Sequence, residues 1–202
     1  KPDQEAVPSR QFDISKIDFE LLSREFAHTR RKNLLLRDLD ELVNQQLAKM
    51  LFANPQRIDY YDRYQEIIDA YNAEQNRATI EKTFMDLMEL ASSLDTEQQR
   101  YVREGFSSDE ELSVYDLLFS ENLTKQEIET IKKVSVDLLI KIKQQIAKLD
   151  HWTDKQETKA IVDNLIRNTL WQELPNSYDV SDIQTYQKKI YEYVYMRYPE
   201  VA

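Results

Sequence analysis

TKQEIETIKKVSVDLLIKIKQQIAKLD, residues 124–150, sets the fold class. Thr124 and Glu127 stand three apart just before an apolar run, the spacing of a capping box that opens a helix. Beyond them Ile128, Ile131, Val134, Leu138, Ile142, Ile146 and Leu149 recur every three or four residues, one face of a 3.6-residue period. Most of the remaining positions are polar or charged, six of them lysine.

The same grammar extends both ways. Upstream, Ser108 and Glu111 predict another box, opening a short helix through Tyr115 and Leu118. Before it, Ile80, Phe84, Leu87, Ala91, Leu94 and Tyr101 line a helix over 79–104, which Gly105 stops. Tyr61, Tyr64, Ile68 and Tyr71 mark one over 57–75, with Tyr60 and Ile67 beside the stripe. Leu35, Leu39, Leu42, Leu47 and Met50 mark one ending at Asn54-Pro55, and Phe19, Leu22 and Phe26 one that breaks near 28–33. Downstream, Thr153 or Asp154 caps a helix that Leu174-Pro175 ends, and Ser181 opens a last, tyrosine-rich helix to Pro199. With one glycine and five prolines in 202 residues, the chain lacks the turn chemistry that hairpins use. The expectation is all-α: a single compact, bundle-like domain of about eight helices over 17–202, with no sheet, after an irregular lead-in over 1–16.

Composition narrows the function classes. Hydrophobic residues make up 41% and charged residues 32%, so the chain can build a core, and no apolar run is long enough to span a bilayer. No membrane partner is expected. Cysteine is absent, which excludes disulfides and thiolate metal sites and fits a reducing cytoplasm. A start on Lys1 rather than methionine is expected of a fragment of a longer protein, or of a trimmed one. Net charge is −10, and all of it sits in the middle third: residues 54–121 carry six positive and sixteen negative side chains, whereas both flanks balance. Such a tract repels polyanions, while basic faces at either end could still meet them.

No phosphate-cradling loop, nucleophile elbow or H-E-x-x-H occurs, and one glycine cannot build the first. His28 and His151 lie far apart and read as surface or turn residues. The many carboxylates read as solvated helix faces. No catalytic residue, metal or cofactor is expected in this chain.

One longer pattern goes beyond bundle physics. Asn54-Pro55-Gln56-Arg57-Ile58-Asp59-Tyr60-Tyr61-Asp62-Arg63-Tyr64-Gln65-Glu66-Ile67-Ile68 leads into Arg77-Ala78-Thr79-Ile80-Glu81-Lys82-Thr83-Phe84. Arg103-Glu104-Gly105-Phe106-Ser107, Tyr115-Asp116-Leu117-Leu118, Ile131-Lys132-Lys133-Val134, Trp152, Lys155, Lys159-Ala160-Ile161-Val162 and Tyr191–Tyr198 follow in order. Over residues 17–198 this resembles the C-terminal region of the restriction (motor) subunit of type I restriction–modification enzymes. Lys159 stands where that pattern expects arginine, and Asp163-Asn164 replaces a more basic pair.

The resemblance implies a non-catalytic helical domain whose parent subunit is an ATP-dependent translocase and endonuclease. Its implied partners are the rest of the motor subunit, the methyltransferase core of modification and specificity subunits, and double-stranded DNA. On the 124–150 helix, Lys125, Lys132 and Lys143 fall within about 20° of one another, with Lys133 across the outer face. Lysines so spaced can follow a phosphate backbone without reading sequence. Arg30, Arg31 and Lys32 form a second basic cluster. Tyr191 and Tyr195, with Trp152 and Lys155, are the candidate protein interface, Trp152 reading equally as a packing anchor. Two functions result: assembly with the methyltransferase core combined with DNA backbone contact, or a pure protein-interaction module. The second expects lysines neutralised by carboxylates beside an exposed apolar patch.

Overall fold

The computed structural model describes residues 14–199; most of the lead-in expected over 1–16 lies outside the described residues. Among these there is no strand. The helices are α1 (Phe19–His28), α2 (Lys32–Ala53), α3 (Ile58–Ala73), α4 (Arg77–Gln98), α5 (Arg100–Arg103), α6 (Asp109–Leu118), α7 (Lys125–Ile146), α8 (Gln156–Glu173) and α9 (Val180–Arg197). The all-α expectation holds, with nine described helices rather than eight. The stretch read as continuous over 79–104 breaks at Gln99 and leaves the single turn of α5. Gly105 closes that turn at φ +85°. The Phe106 amide reaches back to the Tyr101 carbonyl (2.8 Å) and the Gly105 amide to Val102 (3.1 Å), a Schellman pattern whose left-handed residue favours glycine.

The helix starts show which local signals hold. Thr124 opens α7 with both halves of the box, its amide donating to Glu127 Oε2 (2.8 Å) and the Glu127 amide to Thr124 Oγ1 (3.3 Å). At α6 Ser108 Oγ accepts from the Glu111 amide (3.3 Å), but the Glu111 carboxylate reaches the Ser107 amide (2.7 Å) instead of closing the box. Two expected caps are corrected. α8 is preceded by Lys155, with no side-chain cap, rather than by Thr153 or Asp154, which belong to a turn that the Asp154 amide closes on the His151 carbonyl (3.0 Å). α9 is capped by Asp179, boxed with Asp182, one turn's edge before Ser181.

The chain gathers into two compact units. Of the described residues, the first comprises those up to Met50 together with Arg57–Gln98. Its core takes Phe26, Leu36, Leu39, Val43 and Leu47 from α1 and α2, Tyr64 and Ile67 from α3, and Phe84, Leu87, Ala91 and Leu94 from α4. Phe26 stacks flat on Phe84, with ring centres 3.6 Å apart. Of the expected tyrosine stripe only Tyr64 is buried; its hydroxyl donates to Asp40 (2.8 Å), while Tyr61 stays at the edge. Burial, then Asp40, pushes the Tyr64 pKa well above the phenolic range.

The second unit comprises Leu51–Gln56 and the residues from Gln99 on. Here α6 packs on α7, α7 on α8, α8 on α9, and α9 returns to α6, so four helices enclose one core. The face read from sequence on α7 supplies Ile131, Val134, Leu138, Ile142 and Ile146, with Val162, Ile166 and Leu170 from α8 and Ile190 and Val194 from α9.

Polar residues are buried where the chain passes between the units. In the second unit Asn54 is 0% exposed, its side-chain amide donating to Asp116 (2.6 Å) and its carbonyl accepting from the Gln56 amide (3.1 Å). Arg100 pairs with the same Asp116. In the first unit the Arg57 side chain, 3% exposed, meets Glu97 at 3.0 Å.

Removing one partner of such a pair strands a charge in the interior, at a typical cost of about 3–5 kcal/mol, whereas an apolar replacement of both is often neutral. Arg57→Ala or Glu97→Ala is expected to lower stability by that amount in urea unfolding, and Arg57→Met with Glu97→Leu to recover most of it. Single and double variants of equal stability would show that the pair is not the anchor. Glu127 gives a second expectation. The Thr124 amide, then its hydroxyl, holds the Glu127 carboxyl below its ordinary range. A folded pKa below the unfolded one contributes stability that is complete above the unfolded value and is lost as pH falls through the folded one. Glu127→Gln should therefore flatten the acid limb of the stability–pH curve below about pH 5 and leave its neutral slope unchanged.

Candidate interaction surfaces

The lysine row on α7 divides in two. Lys125 and Lys133 are exposed. Lys132 is turned into the α5–α6 connection, where its ammonium donates to the Glu104 carbonyl (2.9 Å) and carboxylate (3.1 Å) and lies 5.9 Å from the centres of the Phe106 and Tyr115 rings. Lys143 pairs with Glu110 and sits 5.2 Å over the Tyr198 ring. Burial pushes the Glu110 carboxyl up, but Lys143, then Tyr198 and the Arg197 charge, together outweigh it and leave the group below its usual range. An ammonium already held by a carboxylate and a ring face must give up those contacts to reach a phosphate.

The second basic cluster divides likewise. Arg30 and Arg31 are exposed in the break between α1 and α2. Lys32 reaches Glu81 on α4 (2.9 Å) and covers the Phe26 ring at 4.6 Å. Lys32, then Arg77, holds the Glu81 carboxyl below its ordinary range. Of the seven cations expected to meet DNA, the four that stay exposed divide between the units, Arg30 and Arg31 in the first and Lys125 and Lys133 in the second.

The residues expected at a protein interface come together around Trp152. Its ring meets Tyr191 and Tyr195 edge-on, with centres 6.1 and 5.7 Å away, and Lys159 lies 5.7 Å over Tyr195. Trp152 itself is 1% exposed, and its indole N–H donates to the Tyr198 carbonyl (2.7 Å), so it is the packing anchor of this cluster and presents nothing to a partner. Tyr191 is half-buried, and burial, then the Asp163 charge, raises its pKa. Tyr195, 39% exposed, and the exposed Lys155 are what the cluster offers to solvent.

A second exposed feature was not read from the sequence. Trp171 is 48% and Ile161 42% exposed on α8, and Met196 is 71% exposed on α9. Trp171 stands nine residues after the buried Val162, which at 100° per residue places it on the opposite side of the helix. Glu157, Ile161, Asn164, Asn168 and Trp171, all exposed, follow one another at spacings of four, three, four and three. That wheel was available in the sequence, and it is the signal that marks Trp171 as the surface tryptophan. Among the described residues no group of three or more metal-ligating side chains occurs, and no helix is long and apolar enough to cross a membrane.

The two tryptophans should therefore behave oppositely. Trp152→Ala is expected to cost about 3–5 kcal/mol in denaturant unfolding, and Trp171→Ala to stay within about 0.5 kcal/mol. Acrylamide should quench Trp171 fluorescence and spare Trp152.

No curated protein and no solved structure gives a significant match to the chain. One family model does, over residues 5–198: the type I restriction enzyme HindI endonuclease subunit-like C-terminal domain. The match spans nearly the whole sequence and bears out the resemblance carried by the Asn54–Phe84 pattern and its successors. The chain belongs to that family and is a C-terminal domain of a type I restriction enzyme subunit.

Proposed function

We propose that this domain works as a docking module, holding its restriction subunit on the methyltransferase core of modification and specificity subunits. The observation that carries the reading is the outer face of α8. Ile161 and Trp171 stand exposed along one line with the uncharged Asn164 and Asn168 between them. Exposed Glu157 and Arg167 flank this line, so an apolar and amide strip is bordered by charge, as the core and polar rim of a protein interface are, and tryptophan is enriched among residues that dominate binding energy. Tyr195, 39% exposed, and Met196, 71% exposed, add apolar surface on α9 of the same unit. The domain itself performs no catalytic step in this reading; nuclease and translocase chemistry belong to the rest of the subunit.

A second role, sequence-independent contact with the DNA backbone, is favoured by the exposure of Lys125 and Lys133 on α7 and of Arg30 and Arg31. With Lys132, Lys143 and Lys32 engaged by carboxylates, this contact is light. It adds to the affinity of an assembled complex and does not drive binding of the domain alone.

Both roles are tested in the whole restriction subunit with its methyltransferase core. Ile161→Asp with Trp171→Ala is expected to weaken assembly at least tenfold in a sedimentation titration while the folded content is unchanged. Normal assembly would remove α8 as the docking face. Lys125→Ala with Lys133→Ala should reduce the log–log salt slope of DNA binding by about 2 if both touch phosphate, since each lost contact removes about one. An unchanged slope would leave docking alone.

A further inference from the structure

The first unit carries an open groove of its own, formed where α1 lies beside α2. Its volume is about 640 Å³, in the range of sites that enclose a ligand or several side chains. The floor is Leu39 and Leu42 of α2, 3% and 8% exposed. The walls are half-buried Leu22 and Leu35, with Leu21 standing 53% exposed at the rim. On α2 Leu35, Leu39 and Leu42 follow at i, i+4 and i+7, so the apolar strip runs along the helix for two turns.

The rim is acidic. Asp18, Glu25 and Asp38 line the groove with one cation, Lys16, and Asp38 also pairs with its neighbour Arg37 at 3.5 Å, so one negative charge is in excess beside an aliphatic slot. Asp18 and Glu25 belong to the α1 side and are two helical turns apart; Asp38 faces from α2. Asp18 also caps α1, accepting from the Leu21 amide at 2.9 Å, a bond its ionised form makes best. An apolar slot two turns long favours an amphipathic helix, which inserts residues at i, i+3 or i+4, and i+7. Carboxylates on both walls favour lysine or arginine flanking those anchors and disfavour glutamate.

We infer that the α1–α2 groove is a docking site for an amphipathic helix of a partner protein, with aliphatic anchors for the leucine floor and basic residues for the Asp18, Glu25 and Asp38 rim. This site is separate from the α8 face, and neither proposal depends on the other.

The test uses the full chain and two synthetic fluorescein-labelled peptides of 14 residues that share a leucine stripe at i, i+3/i+4 and i+7. One carries lysines and the other glutamates at the flanking positions. Polarisation titrations should show saturable binding of the Leu/Lys peptide and at least tenfold weaker binding of the Leu/Glu peptide. Leu21→Glu, at an exposed site, should weaken the Leu/Lys complex at least tenfold, and Glu25→Lys with Asp38→Lys should reverse the preference between peptides. Hydrogen exchange should slow over residues 17–42 on binding and not over α8. The proposal is overturned if the Leu/Lys peptide fails to bind. It is equally overturned if both variants bind it as the parent chain does, which would mark a diffuse attraction to the −10 surface. If Leu21→Glu instead dissociates a dimer in the absence of peptide, the groove belongs to a second copy and the inference is wrong.

Discussion

A guanidinium only 3% exposed has to be matched by a carboxylate, and the Arg57–Glu97 pair meets that demand where the chain enters the first unit. Three residues earlier Asn54, wholly buried in the second unit, meets the same demand through Asp116, which Arg100 also neutralises. Polar groups in a low-dielectric interior cost several kcal/mol when left unmatched, so these positions tolerate few other residues. They are also the residues that open the pattern on which the family resemblance rests. That pattern records the requirements of a fold, which explains how it can be specific while containing no chemical motif.

The acidic middle third takes on a different meaning once the partners are known. Glu81 meets Lys32, Glu97 meets Arg57, Glu104 meets Lys132, Glu110 meets Lys143, and Asp116 meets Arg100. All five carboxylates lie between residues 54 and 121, and three of their cations come from the flanking thirds. Part of the excess negative charge is thus an internal counterion supply. The cations it engages cover aromatic rings as well, as Lys32 does Phe26 and Lys143 does Tyr198, so each ammonium both packs and pairs. Lys32, Lys132 and Lys143 are thereby engaged within the domain, while aromatic and aliphatic side chains stand exposed on α8 and α9.

The helical pattern was almost fully legible in advance. The α7 box at Thr124 and the stop at Gly105 are short-range signals, formed by residues no more than five apart, and they hold. The errors fall at helix boundaries, as at α9, which starts from the Asp179–Asp182 box and not from Ser181. α8 starts at Gln156 without a side-chain cap, because Thr153 and Asp154 lie in the turn closed by the Asp154 amide on the His151 carbonyl. The continuous pattern over 79–104 breaks at Gln99, where the chain leaves the first unit. For the candidate surfaces much less was readable. A helical wheel gives a lysine's direction, but it cannot show which carboxylate waits there.

By itself the sequence determined the fold class, the helix faces, the glycine stop and the family, because each depends on periodicity or on ordered short patterns within the chain. Only the tertiary structure decided which charges and rings remain available. Lys132 meets Glu104 across 28 residues, Lys143 meets Glu110 across 33, and Trp152 meets the Tyr198 carbonyl across 46. Exposure belongs to the packed assembly of helices, since a side chain's solvent is displaced by residues remote in sequence. Trp152 and Trp171, 1% and 48% exposed, are the same residue type separated by that reason alone.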